Sequence, residues 1–97
     1  MAHTDQLAIP AAARQDARSF ELLRVWIAKE DQHVSLRAGA WKDPAAWGIV
    51  LADLAGHIAN ALEQTDALDR EESLRQIEAA FLEELAKPTG EPSGEIG

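Results

Sequence analysis

Cysteine is absent from this 97-residue chain. No disulfide or thiolate metal site can therefore staple the fold, and the composition fits a reducing compartment. Large apolar side chains are also scarce, because 46% of the residues are apolar but 19 of these are Ala. A domain of this length with so thin a core is hard to stabilise alone, so the composition favours a homodimer.

Positive charge is scarce as well. The chain carries 9 Lys and Arg against 17 Asp and Glu, a net charge of −8, and residues 41–97 hold all of that excess. Phosphate-backbone binding needs contiguous basic side chains, so we expect no nucleic-acid partner unless an assembly gathers the arginines into a stripe. No basic-then-apolar leader and no uninterrupted apolar run of about 20 residues is visible, so we expect a cytoplasmic protein without a membrane partner.

Two segments carry the side-chain pattern of β-strands. Residues 20–29 are rich in β-branched and aromatic side chains, and residues 32–39 alternate between apolar and polar. A turn centred on Glu30 and Asp31, or a four-residue type I loop with the same register, puts six apolar residues on one face. The opposed pairs would be Leu23 with Ala38, Val25 with Leu36, and Ile27 with Val34.

Two amphipathic helices are predicted after this hairpin. The first begins at Asp43 and Pro44, an N-cap followed by proline at the first helical position, and extends to about Gln64. The second follows Asp69 and ends at Lys87, before a proline. Apolar residues recur at spacings of three and four along one face of each helix: Trp47, Leu51, Leu54, Ile58 and Leu62 on the first, Leu74, Ile77, Phe81 and Leu85 on the second.

The predicted fold class is therefore α+β, a β-hairpin followed by two amphipathic helices (ββαα). We expect one such domain over residues 19–87, a loose N-terminal arm over 1–18 and a disordered tail over 88–97. The helices would cover the apolar face of the hairpin. Because a lone two-stranded ribbon is marginal and has two open edges, dimerisation would pair hairpins into a larger sheet.

Several short motifs resemble a known family. The sequence Glu-Leu-Leu-Arg-Val-Trp starts at Glu21, and a Trp-x-Asp-Pro-x-x-Trp-Gly box starts at Trp41. With Gln-His-Val-Ser-Leu-Arg and His-Ile-Ala-Asn-Ala, they are similar to a family of short bacterial proteins known as a domain of unknown function. The resemblance covers roughly residues 20–81 and implies a small α+β domain. It implies no activity and no site residues.

The polar face of the predicted hairpin is the first candidate site. Its members are Arg24, Trp26, His33 and Arg37. The predicted register sets Arg24 directly opposite Arg37, which is unfavourable unless an acidic group covers both. That group is either a glutamate of this protein within a homodimer, or an external partner or small anionic ligand for which Trp26 supplies an apolar anchor.

A polar stripe on the first helix is the alternative. Asp53, His57 and Asn60 follow one another at spacings of four and three, as an acid–base pair or two metal ligands would. Trp41 and Trp47 flank the helix start, where they would form an aromatic plug or line a pocket. No third metal ligand, glycine-rich phosphate loop or nucleophile motif completes a catalytic set.

The sequence thus favours a non-enzymatic interaction module without cofactor, metal or catalytic residues, acting through the hairpin face. The competing hypothesis is a small-molecule-binding protein or small enzyme that uses the stripe and the two tryptophans. A closed concavity would favour the second hypothesis, and a flat hairpin surface the first.

Overall fold

The computed structural model describes residues 5–87 and 93–96. The elements in chain order are α1 (Ala11–Gln15), β1 (Leu23–Ala28), β2 (Asp31–Leu36), a 3-10 turn (Ala38–Ala40), α2 (Pro44–Asp66), α3 (Arg70–Ala86) and β3 (Ser93–Ile96). The antiparallel hairpin and the two long helices confirm the predicted α+β class. The short α1 lies inside the stretch expected to be a loose arm.

The hairpin turn is centred one residue earlier than predicted. Lys29 and Glu30 form its two-residue loop, with φ angles of 53° and 65°. Positive φ at both central positions is typical of a type I′ turn, whose twist matches that of the flanking strands. The predicted register was therefore wrong by two residues. The observed pairs are Leu23 with Leu36, Arg24 with Ser35, Val25 with Val34, Trp26 with His33, Ile27 with Gln32 and Ala28 with Asp31. A shift of two keeps every side chain on its predicted face.

A third strand extends the sheet beyond the prediction. Ser93–Ile96 pairs in parallel with β2, from His33 opposite Ser93 to Leu36 opposite Ile96. The strand order is β1-β2-β3, so β2 lies in the middle. The expected disordered tail is wrong for residues 93–96, because the open backbone of β2 can pair with a segment whose side chains carry no strand pattern. The remaining residues of that tail, 88–92 and 97, and residues 1–4 of the arm lie outside the described residues.

Both long helices begin at the predicted caps. The Asp43 carboxylate accepts a hydrogen bond of 3.0 Å from the backbone N–H of Ala45. The Asp69 carboxylate accepts one of 2.9 Å from the N–H of Glu72. α2 ends two residues later than predicted, where Ala67 adopts a left-handed conformation with φ of 57°. The chain then reverses, and α3 packs against α2.

The helix pair does not cover the hairpin. In the part of the chain that the structure describes, the extensive contacts between elements join β1 to β2, β2 to β3, and α2 to α3. Val25 and Ile27 on the apolar face of the hairpin are 45% and 74% exposed. The expectation that the helices would bury this face is therefore wrong.

Four large apolar residues of α2 are left open as well, namely Ile49, Leu51, Leu54 and Ile58. α3 lies against a face of small residues, on which Ala59 is fully buried and Ala55 and Gly56 are half-buried. The stripe formed by Leu51, Leu54 and Ile58, hereafter the α2 stripe, lies beside this contact and is exposed. The predicted apolar face is therefore only partly buried in this chain, because Trp47 and Leu62 are half-buried and the α2 stripe is exposed.

Candidate functional site

The two arginines of the hairpin face converge on one residue before β1. The Nε and Nη2 atoms of Arg24 donate to the Glu21 carboxylate at 3.0 and 2.6 Å. The hydrogen bond, and then the negative charge of Glu21, raise the pKa of Arg24 above its ordinary value. Arg37 donates from Nε to the Glu21 backbone carbonyl at 3.1 Å, and its guanidinium lies 5.4 Å from the centre of the Phe20 ring. The segment preceding β1 thus holds both arginines.

The two arginines do not oppose each other as predicted. Arg24 faces Ser35, whereas the N–H of Arg37 donates to the carbonyl of Leu22 at 2.9 Å. The predicted like-charge pair was wrong because the turn lies one residue earlier, which shifts the register by two residues. The carboxylate that meets Arg24 is Glu21 and not a glutamate of α3.

The other two residues of this face form a cross-strand pair. Trp26 lies opposite His33, and both are half-buried. The His33 Nε2 atom lies 3.0 Å from the Ala28 carbonyl oxygen, within hydrogen-bonding distance. The face therefore gathers all four predicted residues, with polar contacts supplied by the chain itself. A role in recognition stays a prediction for this surface.

The polar stripe of α2 lies in an open groove between the two helices. The groove has a volume of about 330 Å³. Its lining residues are Ala52, Asp53, Gly56, His57, Asn60, Arg70 and Leu74. The predicted Asp53, His57 and Asn60 thus come together, and Arg70 of α3 joins them. Their side chains can offer hydrogen-bond donors and acceptors to a small polar group.

Arg70 is the groove residue that sequence reasoning missed. Its Nε donates to the Asn60 amide oxygen, and its backbone N–H donates to the Glu63 carboxylate at 3.3 Å. A methyl group built on Gly56 would lie 3.8 Å from Nη2 of Arg70. This is an ordinary van der Waals distance, so the Arg70 guanidinium lies directly against α2 at Gly56. The available signal was an arginine at the start of α3, one hairpin turn away from the polar stripe.

The predicted alternative pocket is only partly assembled. Trp41 and Trp47 contact each other edge to face, with ring centroids 5.4 Å apart and planes inclined at 71°. They are not among the lining residues of the groove. Across residues 5–87 and 93–96, no three His, Asp or Glu side chains cluster as metal ligands. The groove is open and is lined by both polar and apolar residues, without the aromatic walls of the competing hypothesis.

Comparison with known proteins identifies a family. The family described as Domain of unknown function (DUF5076) matches residues 6–89. One similar solved structure, from the photosynthetic bacterium Rhodopseudomonas palustrus CGA009, is described as that of a "putative pyruvate dehydrogenase". The two chains are 26% identical with a TM-score of 0.73, over 94% of this chain and 93% of the other. Comparison with curated proteins gives no match.

Proposed function

The chain belongs to the DUF5076 family of domains of unknown function, and we propose that it works as a non-enzymatic interaction module whose folded unit is a homodimer. One observation carries this proposal. Across the described residues, the buried apolar core consists of Ala59, while fourteen large apolar residues are at least 40% exposed. Soluble monomers rarely leave contiguous apolar patches larger than a few hundred Å² in water.

The dimensions of the chain support the same proposal. It exposes 8659 Å², whereas a compact monomer of its mass of 10.5 kDa exposes about 5,400 Å². Its radius of gyration is 15.3 Å, against about 12.5 Å for a compact chain of this length. Obligate homodimer interfaces bury about 1,000 Å² or more of the accessible surface of each subunit. A second copy supplies matching apolar surfaces by symmetry.

A lipid bilayer is the competing candidate for covering the exposed apolar surface of α2. α2 is long and apolar enough to cross a membrane by length and composition alone, and little of it is buried. However, Asp53 and His57 flank the middle of this helix. An aspartate at the centre of a membrane-spanning helix is unfavourable by about 2.5–3.5 kcal/mol. A protein surface can cover the α2 stripe and leave the polar stripe in water.

Light scattering after size exclusion tests the proposal. At micromolar concentration we expect about twice the 10.5 kDa chain mass. Ile27→Glu places a charge on the exposed apolar face of the hairpin and should give a lower mass, whereas Gln64→Glu introduces the same charge on the polar side of α2 and should not. A stably folded monomer, or flotation of the wild-type protein with phosphatidylcholine vesicles, would contradict the proposal.

Recognition of an anionic partner by the arginines of the hairpin face has less support from the structure. An external anion would have to displace Glu21 from Arg24, since the two already form an ion pair. We therefore assign the interaction to the exposed apolar surfaces rather than to the arginines. If titration with inorganic phosphate changes the NMR amide signals of Arg24 and Arg37, the hairpin face binds an anion and that hypothesis is supported.

A small-molecule site in the groove is the second candidate function. The observation in its favour is the meeting of Asp53, His57, Asn60 and Arg70 from two helices. Its openness to water limits the affinity that a small ligand can gain there. Titration with acetate and imidazole, followed through the NMR signals of the His57 ring protons, tests this candidate. Asn60→Leu is the control, because it removes the oxygen that accepts the hydrogen bond from Arg70.

A further inference from the structure

The outer edge of β1 offers unpaired backbone groups. β1 is an outer strand of the described sheet, and the hydrogen bond from Arg37 to Leu22 marks that pair as hydrogen-bonded. Such pairs alternate along an antiparallel ladder, so Arg24, Trp26 and Ala28 direct their backbone groups toward β2. The N–H and C=O groups of the intervening residues point away from β2. These residues are Leu23, Val25 and Ile27, hereafter the β1 edge.

The side chains of the β1 edge lie on the apolar face of the hairpin, where Val25 and Ile27 are exposed. β1 contains no proline and one charged residue, Arg24. The Arg24 side chain lies on the opposite face and is paired with Glu21. Natural sheets normally protect an outer strand with proline, charge or a covering element. This edge is apolar, unpaired and unprotected within the described residues.

We infer that β1 pairs antiparallel with β1 of a second copy about a twofold axis through Val25, which joins two three-stranded sheets into one of six strands. This inference rests on the proposed homodimer and specifies its contact. Val25 would lie opposite Val25 of the second copy, and Leu23 opposite Ile27. Every outward-pointing backbone group of the β1 edge is then paired, and the two apolar faces become continuous.

Charge and ring contacts select this register over its neighbours. An axis at Arg24 would place two arginines directly across the ladder, which is destabilising. An axis at Trp26 would pair only Val25 with Ile27 and leave Leu23 out. With the axis at Val25, Arg24 lies opposite Trp26 of the second copy, where a guanidinium can lie over an indole face.

Single cysteines test the register, because the chain contains no native cysteine. In the inferred pairing, the two Val25 Cα atoms lie about 5.5 Å apart, within the range that a disulfide spans. The two Ile27 Cα atoms lie about 14 Å apart, since four residues separate their positions along the ladder. Under mild oxidation with diamide, Val25→Cys should become mainly covalent dimer and Ile27→Cys should stay mainly uncrosslinked. A mixture of Leu23→Cys and Ile27→Cys chains should crosslink.

Masses of the reduced variants separate this inference from the proposed homodimer. A reduced dimer in which Val25→Cys fails to crosslink, or in which Ile27→Cys crosslinks equally well, overturns the strand pairing and leaves the homodimer in place. A wild-type chain that is monomeric and folded overturns both. Circular dichroism of each variant before oxidation establishes that the fold is retained, and a misfolded Val25→Cys chain is replaced by the mixture of Leu23→Cys and Ile27→Cys chains. That mixture should crosslink if the pairing is right and should stay uncrosslinked if it is wrong.

Discussion

The sheet and the helix pair are stabilised in different ways. The sheet is held by backbone ladders on both sides of β2, whereas the helix pair is held by caps, by the buried Ala59 and by the bond from Arg70 to Asn60. Charge divides the hairpin from the helix pair too, because residues 1–40 are neutral, whereas residues 41–97, which include both long helices and β3, carry the whole net charge of −8. Two copies can therefore bring their hairpins together without net repulsion, whereas contact between two helix pairs brings together like charge.

The helix pair should be the more sensitive half to added volume. Ala59→Leu introduces three carbon atoms where the side chain is 0% exposed, so we expect a loss of about 1–3 kcal/mol in the free energy of unfolding. Ala61→Leu, on the exposed side of α2, is the control and should change little. Urea melts measure both variants. Equal stability of the two would show that the α2–α3 contact is loose.

The start of α2 should show a smaller loss. Asp43→Ala removes the carboxylate that caps the Ala45 N–H, so we expect about 0.5–2 kcal/mol of destabilisation. Asp43→Asn keeps a capping oxygen and should retain most of the stability. Thermal melts followed by circular dichroism at 222 nm compare them. An Asn variant as unstable as the Ala variant would assign the effect to charge rather than to the hydrogen bond.

The sheet should gain stability from a better turn. Lys29 and Glu30 both hold positive φ, and Asn followed by Gly suits a type I′ turn at these positions. Lys29→Asn combined with Glu30→Gly should raise the free energy of unfolding by about 0.5–1 kcal/mol. The midpoint of urea unfolding measures the change. A loss would mean that the charged turn residues contribute contacts that offset their backbone strain.

The ion pair beside β1 should give the smallest effect. The Glu21 and Arg24 side chains are half exposed, at 50% and 44%, so Glu21→Gln should lower the midpoint of urea unfolding only slightly, and only at low salt. Screening should remove most of the difference at 1 M NaCl. Glu78→Gln, an exposed carboxylate of α3, controls for net charge. A loss that persists in high salt would show that Glu21 acts through its hydrogen bonds instead.

Side-chain periodicity predicted β1, β2, α2 and α3, because spacing in the sequence fixes which residues share a face. It did not predict the register, since Lys29 and Glu30 carry no local signal for a turn that glycine normally favours. It did not predict β3, because parallel pairing uses backbone groups common to all residues. The groove was half predicted: spacing brought Asp53, His57 and Asn60 together, but the place of Arg70 depends on how α3 packs.

The order in which the strands occur in the chain has a consequence for folding. β1 and β2 are joined by a two-residue loop, whereas His33 pairs with Ser93, sixty positions later in the chain. Local contacts form faster than contacts between distant residues, so the hairpin should form first. β3 leaves the ribosome only after both long helices, so it joins the sheet later. During that interval β2 presents the same open backbone as β1. Two chains translated from the same mRNA can then pair through β2 instead of β1. In that case β3 has to displace the β2 strand of the other chain before the sheet reaches its final strand order.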